Sequence, residues 1–376
     1  MQRALLNRAT IRVADTTDLS GRVTAESIKH LAPMPAQTQG LAVQISDLQA
    51  QVAKLQSQVE ALQTQLAALQ SNSVTQLDPY VNVNPNPIDG VIGPNIIFTG
   101  ANIHIRSGSG STNDHGPPTG LGNLIIGYDE TGALNPGDRG GSHNLVIGTF
   151  HKFTTHAFGG LVAGRGNEIS GRAASVSGGF NNTASGDTAS VSGGWANAAS
   201  GEFASVSGGF GNAASGSAAS VSGGGTNTAN AGQASVSGGA GNTASAGLAS
   251  VSGGFANAAS GIAASVSGGL QNTASGDNAT VSGGVLNTAR ADYASVSGGE
   301  GNTANGSFAS VSGGFNNLAI GGAASVSGGA NGYASGVVAS VASAAGTVTP
   351  LAVNSAASAG VLLTPPAAAP PASAAG

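Results

Sequence analysis

Between Leu41 and Leu69 the apolar residues fall at Leu41, Ile45, Leu48, Val52, Leu55, Val59, Leu62, Leu66 and Leu69, in alternating steps of four and three. That spacing keeps one apolar seam on an α-helix and predicts a heptad coiled coil. Ile45, Val52, Val59 and Leu66 take the a positions and the five leucines take d, while Gln44, Gln49, Gln51, Gln56, Gln58, Gln63 and Gln65 fill e and g. At about 1.5 Å per residue the segment makes a rod on the order of 43 Å long. A lone amphipathic helix lying on a globular domain would need an apolar partner surface, which the rest of the chain does not offer.

The helical pattern stops at a stretch holding Asn82, Asn84, Pro85, Asn86, Pro87, Gly90, Gly93 and Pro94, a density of turn formers that predicts a neck. A different period follows. Asn102-Ile103-His104-Ile105, Asn123-Leu124-Ile125-Ile126 and Asn144-Leu145-Val146-Ile147 recur 21 residues apart, and Gly160-Leu161-Val162-Ala163 comes 16 residues later. These read as wide first coils of a solenoid.

From Ser175-Val176-Ser177-Gly178 onward the period is 15. Valine returns at Val176, Val191, Val206, Val221, Val236, Val251, Val266, Val281, Val296, Val311, Val326 and Val341, and asparagine at Asn182, Asn197, Asn212, Asn227, Asn242, Asn257, Asn272, Asn287, Asn302 and Asn317. Two residue types held in phase this long identify a repeat architecture. Each unit reads as strand Ala174 to Ser177, turn Gly178 to Asn181, strand Asn182 to Ser185 and turn Gly186 to Thr188. Identical coils stacked about 4.8 Å apart would pair every strand with its copy above and below. Two strands joined by such short turns enclose little space, which accounts for an interior of Ala, Ser and Gly. The asparagines are expected to stack as a ladder of side-chain amides bonding along the axis. Alternation puts Ser175 and Ser177 on one face and Val176 on the other. Either Val fills the coil, or Ser does and the Val row emerges as an apolar ridge that demands oligomerisation.

Composition supports this reading. Only 8% of the 376 residues are charged while 62 are glycine, far from globular usage. With a formal net charge of −5 and no dense Lys/Arg cluster, the chain has no electrostatic footprint for nucleic acid. There are no cysteines, hence no disulfide framework and no thiolate metal site. No apolar run approaches the roughly 18 to 20 residues that span a bilayer, so no membrane insertion is expected. Residues 1–38 carry Arg3, Arg8, Arg12, Arg22 and Lys29 without the apolar stretch of a secretory signal.

Ser175-Val176-Ser177-Gly178-Gly179 followed by Asn182-Thr183-Ala184-Ser185-Gly186 resembles the YadA-like head repeat of trimeric autotransporter adhesins, over about residues 160–345. The resemblance implies a left-handed parallel β-roll in which three chains associate through the apolar strand face, placing Val176 and its equivalents near a three-fold axis. It implies a homotrimer, although β-branched a positions with Leu at d favour two strands; the longer solenoid interface is expected to set the count. In those adhesins the head precedes the stalk. Here the stalk comes first, an order more like that of a virion or tail fibre loaded through its N-terminus.

The expected protein is mostly β: an N-terminal docking segment for an anchoring partner (1–38), a coiled-coil stalk (39–72), a Pro/Asn/Gly-rich neck (73–100), irregular wide solenoid coils (101–159), a regular β-solenoid (160–345) and an Ala/Pro-rich tail (346–376). Five of the six histidines, His104, His115, His143, His151 and His156, lie in the wide coils at spacings that fit no zinc template. His104 on a strand could gather three copies around an ion. No catalytic constellation, metal site or cofactor is expected. Variation concentrates in the turns, where Phe180, Trp195, Phe210, Phe255 and Phe315 follow the double glycine, with Phe203, Tyr293 and Phe308 at the opposite turn. On a rigid scaffold these are candidate contacts for a cell-surface glycan or receptor; otherwise they cap corners or pack between protomers. The expected function is a structural fibre or adhesin-like protein at a cell or particle surface, not an enzyme. Two alternatives are an ice-binding solenoid, suggested by Thr183, Thr228, Thr243, Thr273, Thr288 and Thr303 at one coil position, and a glycan-cleaving tail spike.

Overall fold

The computed structural model describes residues 36–71, 75–131, 137–342, 344–348 and 356–357. The docking segment and the tail expected from sequence lie almost entirely outside them. The chain divides into two units, Met1–Ile103 and His104–Gly376.

In the first unit one helix, α1 (Ala36–Gln70), covers the heptads and starts slightly before the expected stalk. The whole a/d seam is bare in the single chain, with Leu41, Ile45, Leu48, Val52, Leu55, Val59, Leu62, Leu66 and Leu69 each 50–62% exposed. The expected neck contains a hairpin of β1 (Val81–Asn84) and β2 (Asn95–Phe98), antiparallel in the register Val81↔Phe98 to Asn84↔Asn95. Asn84 Oδ1 accepts the Asn86 amide at 2.9 Å, and Asn95 Nδ2 donates to the Asn86 carbonyl at 3.0 Å. The turn formers that end the helix thus also close a hairpin.

The second unit is a parallel β-solenoid. Among the described residues sixteen strands make one sheet and fourteen the other. The first sheet opens with β3 (Leu124–Ile126), followed by β4 (Leu145–Thr149). The second sheet opens with β5 (Lys152–Phe153); β6 (Leu161–Arg165) then joins the first sheet and β7 (Glu168–Ile169) the second. Regular coils begin with β8 (Ser175–Val176) and β9 (Thr183–Ala184), in register with copies 15 residues on: Val176↔Val191 and Ala184↔Ala199. Asn102-Ile103-His104-Ile105, expected as the first coil strand, is not a strand, so His104 does not sit in the stack.

Observed strands are two residues long where four were expected, because the corners take up the rest of the coil. Asn181 and Thr188 adopt φ of 56° and 54° and Gly179 of 81°, which bends the backbone out of the sheet on either side of each pair. Inter-coil bonding nevertheless continues past the strands: Ser177 N–H donates to the Val191 carbonyl at 3.0 Å. The turn itself is paired as well. Phe180, Trp195, Phe210 and their successors form a continuous line of parallel bridges, with Phe180 N–H donating to the Gly194 carbonyl at 2.9 Å.

The choice left open between the two faces is settled by packing. Val176, Val191, Val206, Val221, Val236, Val251, Val266, Val281, Val296, Val311, Val326 and Val341 are buried inside their own coils beside Ala174, Ala184 and their equivalents. The serine face points outward. This corrects the expectation that valine forms the contact face between chains, since its methyl groups are already consumed by the coil interior.

Candidate contact surface

The asparagine row is buried and internal. Asn182 Oδ1 accepts the backbone N–H of Asn197 at 2.9 Å, while Asn182 Nδ2 donates to the carbonyls of Gly178 at 3.2 Å and Gly194 at 3.0 Å. The same bonds recur through Asn197, Asn212, Asn227, Asn242, Asn257, Asn272, Asn287, Asn302 and Asn317, whose Oδ1 takes the Gly332 amide at 2.8 Å. The expected amide-to-amide ladder is therefore corrected: each rung joins a side chain to backbone. The reason is that the corner leaves the Asn197 N–H and the Gly178 carbonyl to be satisfied from a side chain, and Asn182 reaches both while sharing the Gly194 carbonyl with the Phe180 N–H.

The ladder starts earlier than the regular 15-residue coils. Asn167 is a rung as well, its Oδ1 accepting the Asn182 amide at 2.7 Å. Before it, fully buried His151 receives the Asn167 amide on Nδ1 at 3.3 Å and places Nε2 3.0 Å from the Ile147 carbonyl. Both contacts are made by the neutral Nε2–H tautomer. One coil earlier, Asp129 Oδ1 accepts the His151 amide at 2.8 Å and its Oδ2 accepts Arg139 Nε at 2.8 Å. The buried carboxylate is thereby both paired and hydrogen-bonded.

The remaining histidines do not converge. His143 Nε2 accepts the Ser107 amide at 3.1 Å, and its buried Nδ1 has no partner among the described residues. His115 and His156 are exposed on a half-open groove of about 660 Å³ that Arg172 also borders. Beside it, Asp114 accepts hydrogen bonds from Ser107 and Ser109, the latter at 2.7 Å, and from the Thr119 amide and hydroxyl at 2.8 and 3.0 Å. These bonds, that from Ser107 foremost, hold its carboxyl far below the usual carboxylate range. Among the described residues no group of three or more His, Asp or Glu is placed to hold a metal ion. No helix among them is long and apolar enough to cross a membrane.

What the coil leaves to solvent is its corners. Trp195 is 54% exposed, Phe210, Phe255 and Phe315 are similarly open, and Phe180 is half-buried. Because consecutive coils are bridged at this position, neighbouring rings touch: Phe180 and Trp195 have centroids 6.4 Å apart and Trp195 and Phe210 4.9 Å. Arg165 occupies the same line one coil before, its guanidinium carbon 5.4 Å from the Phe180 ring centroid and 5.6 Å from that of Phe150. Phe255 and Phe315 stand apart from this group, with Gly225 and Ala240 interrupting the aromatic line. At the opposite corner Tyr293 and Phe308 stack with centroids 4.9 Å apart and planes 3° from parallel. These two, like Phe203, hold φ near 60°, a conformation bulky side chains rarely adopt. The threonine row of the second sheet lies half-buried. No protein-family model matches the chain, and no curated protein matches it in sequence.

Proposed function

We propose that the chain is a structural, adhesin-like surface protein: α1 self-associates along its seam to form a stalk, and the solenoid presents its corner residues to another surface. The observation that carries this reading is the division of labour within each coil. Val, Ala and Asn are fixed inside, whereas the exposed aromatic residues that differ from coil to coil sit at the bridged corner line and the opposite corner. A scaffold that repeats its interior and varies its rim is suited to contact rather than to catalysis. The ten interior asparagines from Asn182 to Asn317 and the twelve valines are interchangeable in role, so length and stiffness, not a pocket, are what the repeat supplies.

On this reading the protein works at a cell or particle surface, with an anchoring partner for residues 1–38, and the adhesin head repeat is an analogue of its solenoid. Three copies follow from that resemblance, joined through α1 instead of through valine. Negative-stain microscopy of the full chain tests the proposal: uniform rods are expected, and compact globules would overturn it.

A further inference from the structure

Resting on the contact function just proposed, and naming its ligand class, we propose that Arg165, Phe180, Trp195 and Phe210 form a track for an acidic polysaccharide lying along the coil axis. Three aromatic rings follow one another, one per coil at a backbone advance of roughly 4.8 Å, with centroids 6.4 and 4.9 Å apart and planes tilted by 39° and 53°. Their line is thus parallel to the axis and suits an extended polymer better than a compact ligand. Aromatic faces stack on the apolar faces of sugar rings, and the exposed residues Ser192 and Ser207, three residues before Trp195 and Phe210, immediately precede the same corner segments.

The charge comes from Arg165. Its guanidinium lies between the Phe150 and Phe180 rings, which restricts its position before any ligand arrives. Among the described residues it has no ion-pair partner, whereas Arg139, Lys152 and Arg172 each face a carboxylate. The corner segments 164–167, 178–181, 193–196 and 208–211 contain no Asp or Glu. A carboxylate carried by a sugar in register with Arg165 would meet a fork of donors with no carboxylate in the same corner segments, the adjacent Glu168 being paired with Lys152. Neutral glycans would use the rings alone.

Trp195 is the only tryptophan in the chain, so its emission reports on the track directly. Full-length protein is titrated with polygalacturonate and, in parallel, with the same polymer methyl-esterified, which keeps the backbone and removes the charge. A saturable change in Trp195 emission is expected with the acid form, and binding about tenfold weaker or worse with the ester. Arg165→Gln should abolish that preference, Phe210→Ala should weaken both polymers, and Phe308→Ala at the other corner should change neither. The track is overturned by no saturable response, by equal affinity for acid and ester, by a preference that survives Arg165→Gln, or by an emission change with protein concentration alone, which would mean that a second copy covers the rings. Rods that ignore the sugar would sink the track and leave the structural column standing; globules would sink the column itself.

Discussion

His151 and Asn167 are joined as two asparagines are elsewhere in the stack: imidazole Nδ1 takes the place of amide Oδ1 in receiving the next coil's backbone N–H, at 3.3 Å. Nε2 likewise takes the place of Nδ2, meeting the carbonyl four residues back just as Asn182 meets Gly178. A histidine buried in a wide coil is therefore a longer version of the rung that the narrower coils build from asparagine.

The first prediction follows from that equivalence. His151→Leu keeps the volume but leaves the Asn167 amide and the Ile147 carbonyl unpaired, and should destabilise the lead-in coils by about 2–4 kcal/mol. His151→Asn can restore at least one of the two bonds and should recover part of the loss. Hydrogen exchange at the Asn167 amide distinguishes them. Protection that is equal in wild type and His151→Leu would show that the imidazole is not a rung.

Within the regular coils, Asn242 receives the Asn257 amide at 2.9 Å and donates to Gly238 and Gly254 at 2.9 Å each. Asn242→Ala removes all three bonds and should cost about 2–4 kcal/mol. Asn242→Asp keeps the acceptor but turns a carboxylate toward two carbonyl oxygens, and should be worse at neutral pH. Burial beside those carbonyls disfavours the charged form and raises its pKa, so stability in this variant is lost as pH rises and recovers in acid. Thermal unfolding of both variants at pH 4 and 7 checks the order and its dependence on pH.

Periodicity made the solenoid legible because each coil repeats the same solution: strand, corner, strand, corner. It also marked Val176 and Asn182 as fixed positions. It could not say which way Val176 points, since a strand with serine on one face and valine on the other satisfies alternation in both orientations; only the glycine corners, by setting the turn of the backbone, decide it. The rungs at His151 and Asp129 were hidden because they break the residue identity while keeping the hydrogen-bond role. Phe180, Trp195 and Phe210 were visible as a row but not as rings in contact, which depends on the corner being paired. The hairpin at Val81 and Asn95 was masked by the very turn formers that close it.

Asp114 supports a prediction about acid. Its carboxyl is held far below the usual range by Ser107, Ser109 and Thr119, so its folded pKa is depressed relative to an unfolded chain. The stabilisation is present above the unfolded value, about 3.9, and is lost only as pH falls through the lower folded value. Carbon-13 resonances should therefore show Asp114 still ionised at a pH where the excised peptide 107–119 is already protonated. Coincident titration of protein and peptide would remove the knot of hydrogen bonds from the account.

The bare seam of α1 predicts association. Leu55 lies at a d position and is 59% exposed. Leu55→Lys places a charge where partner helices would meet, and should lower the mass measured by sedimentation to that of one chain. The solenoid, whose valines are buried within each chain, should keep its β circular dichroism signal. A variant that remains multimeric would move the interface off the helix.

The adjacent glycines Gly193 and Gly194 separate two reasons for the residue. A Cβ at Gly193 would meet nothing within 4 Å, whereas one at Gly194 would lie 2.2 Å from the Gly209 carbonyl oxygen and 2.6 Å from Asn197 Nδ2. Gly194 also holds φ at 86°, so alanine there is strained before any contact is counted. Gly193→Ala should change stability by no more than about 1 kcal/mol. Gly194→Ala must push the next coil away or displace a rung, and overpacking of this kind costs about 1–3 kcal/mol or more, beyond the backbone strain. Because each coil leans on its neighbours, the loss should spread to the amides of Asn197 and Asn212 and appear as faster hydrogen exchange there. If the two variants melt together, close stacking at the double-glycine corner is not what makes the second glycine obligatory.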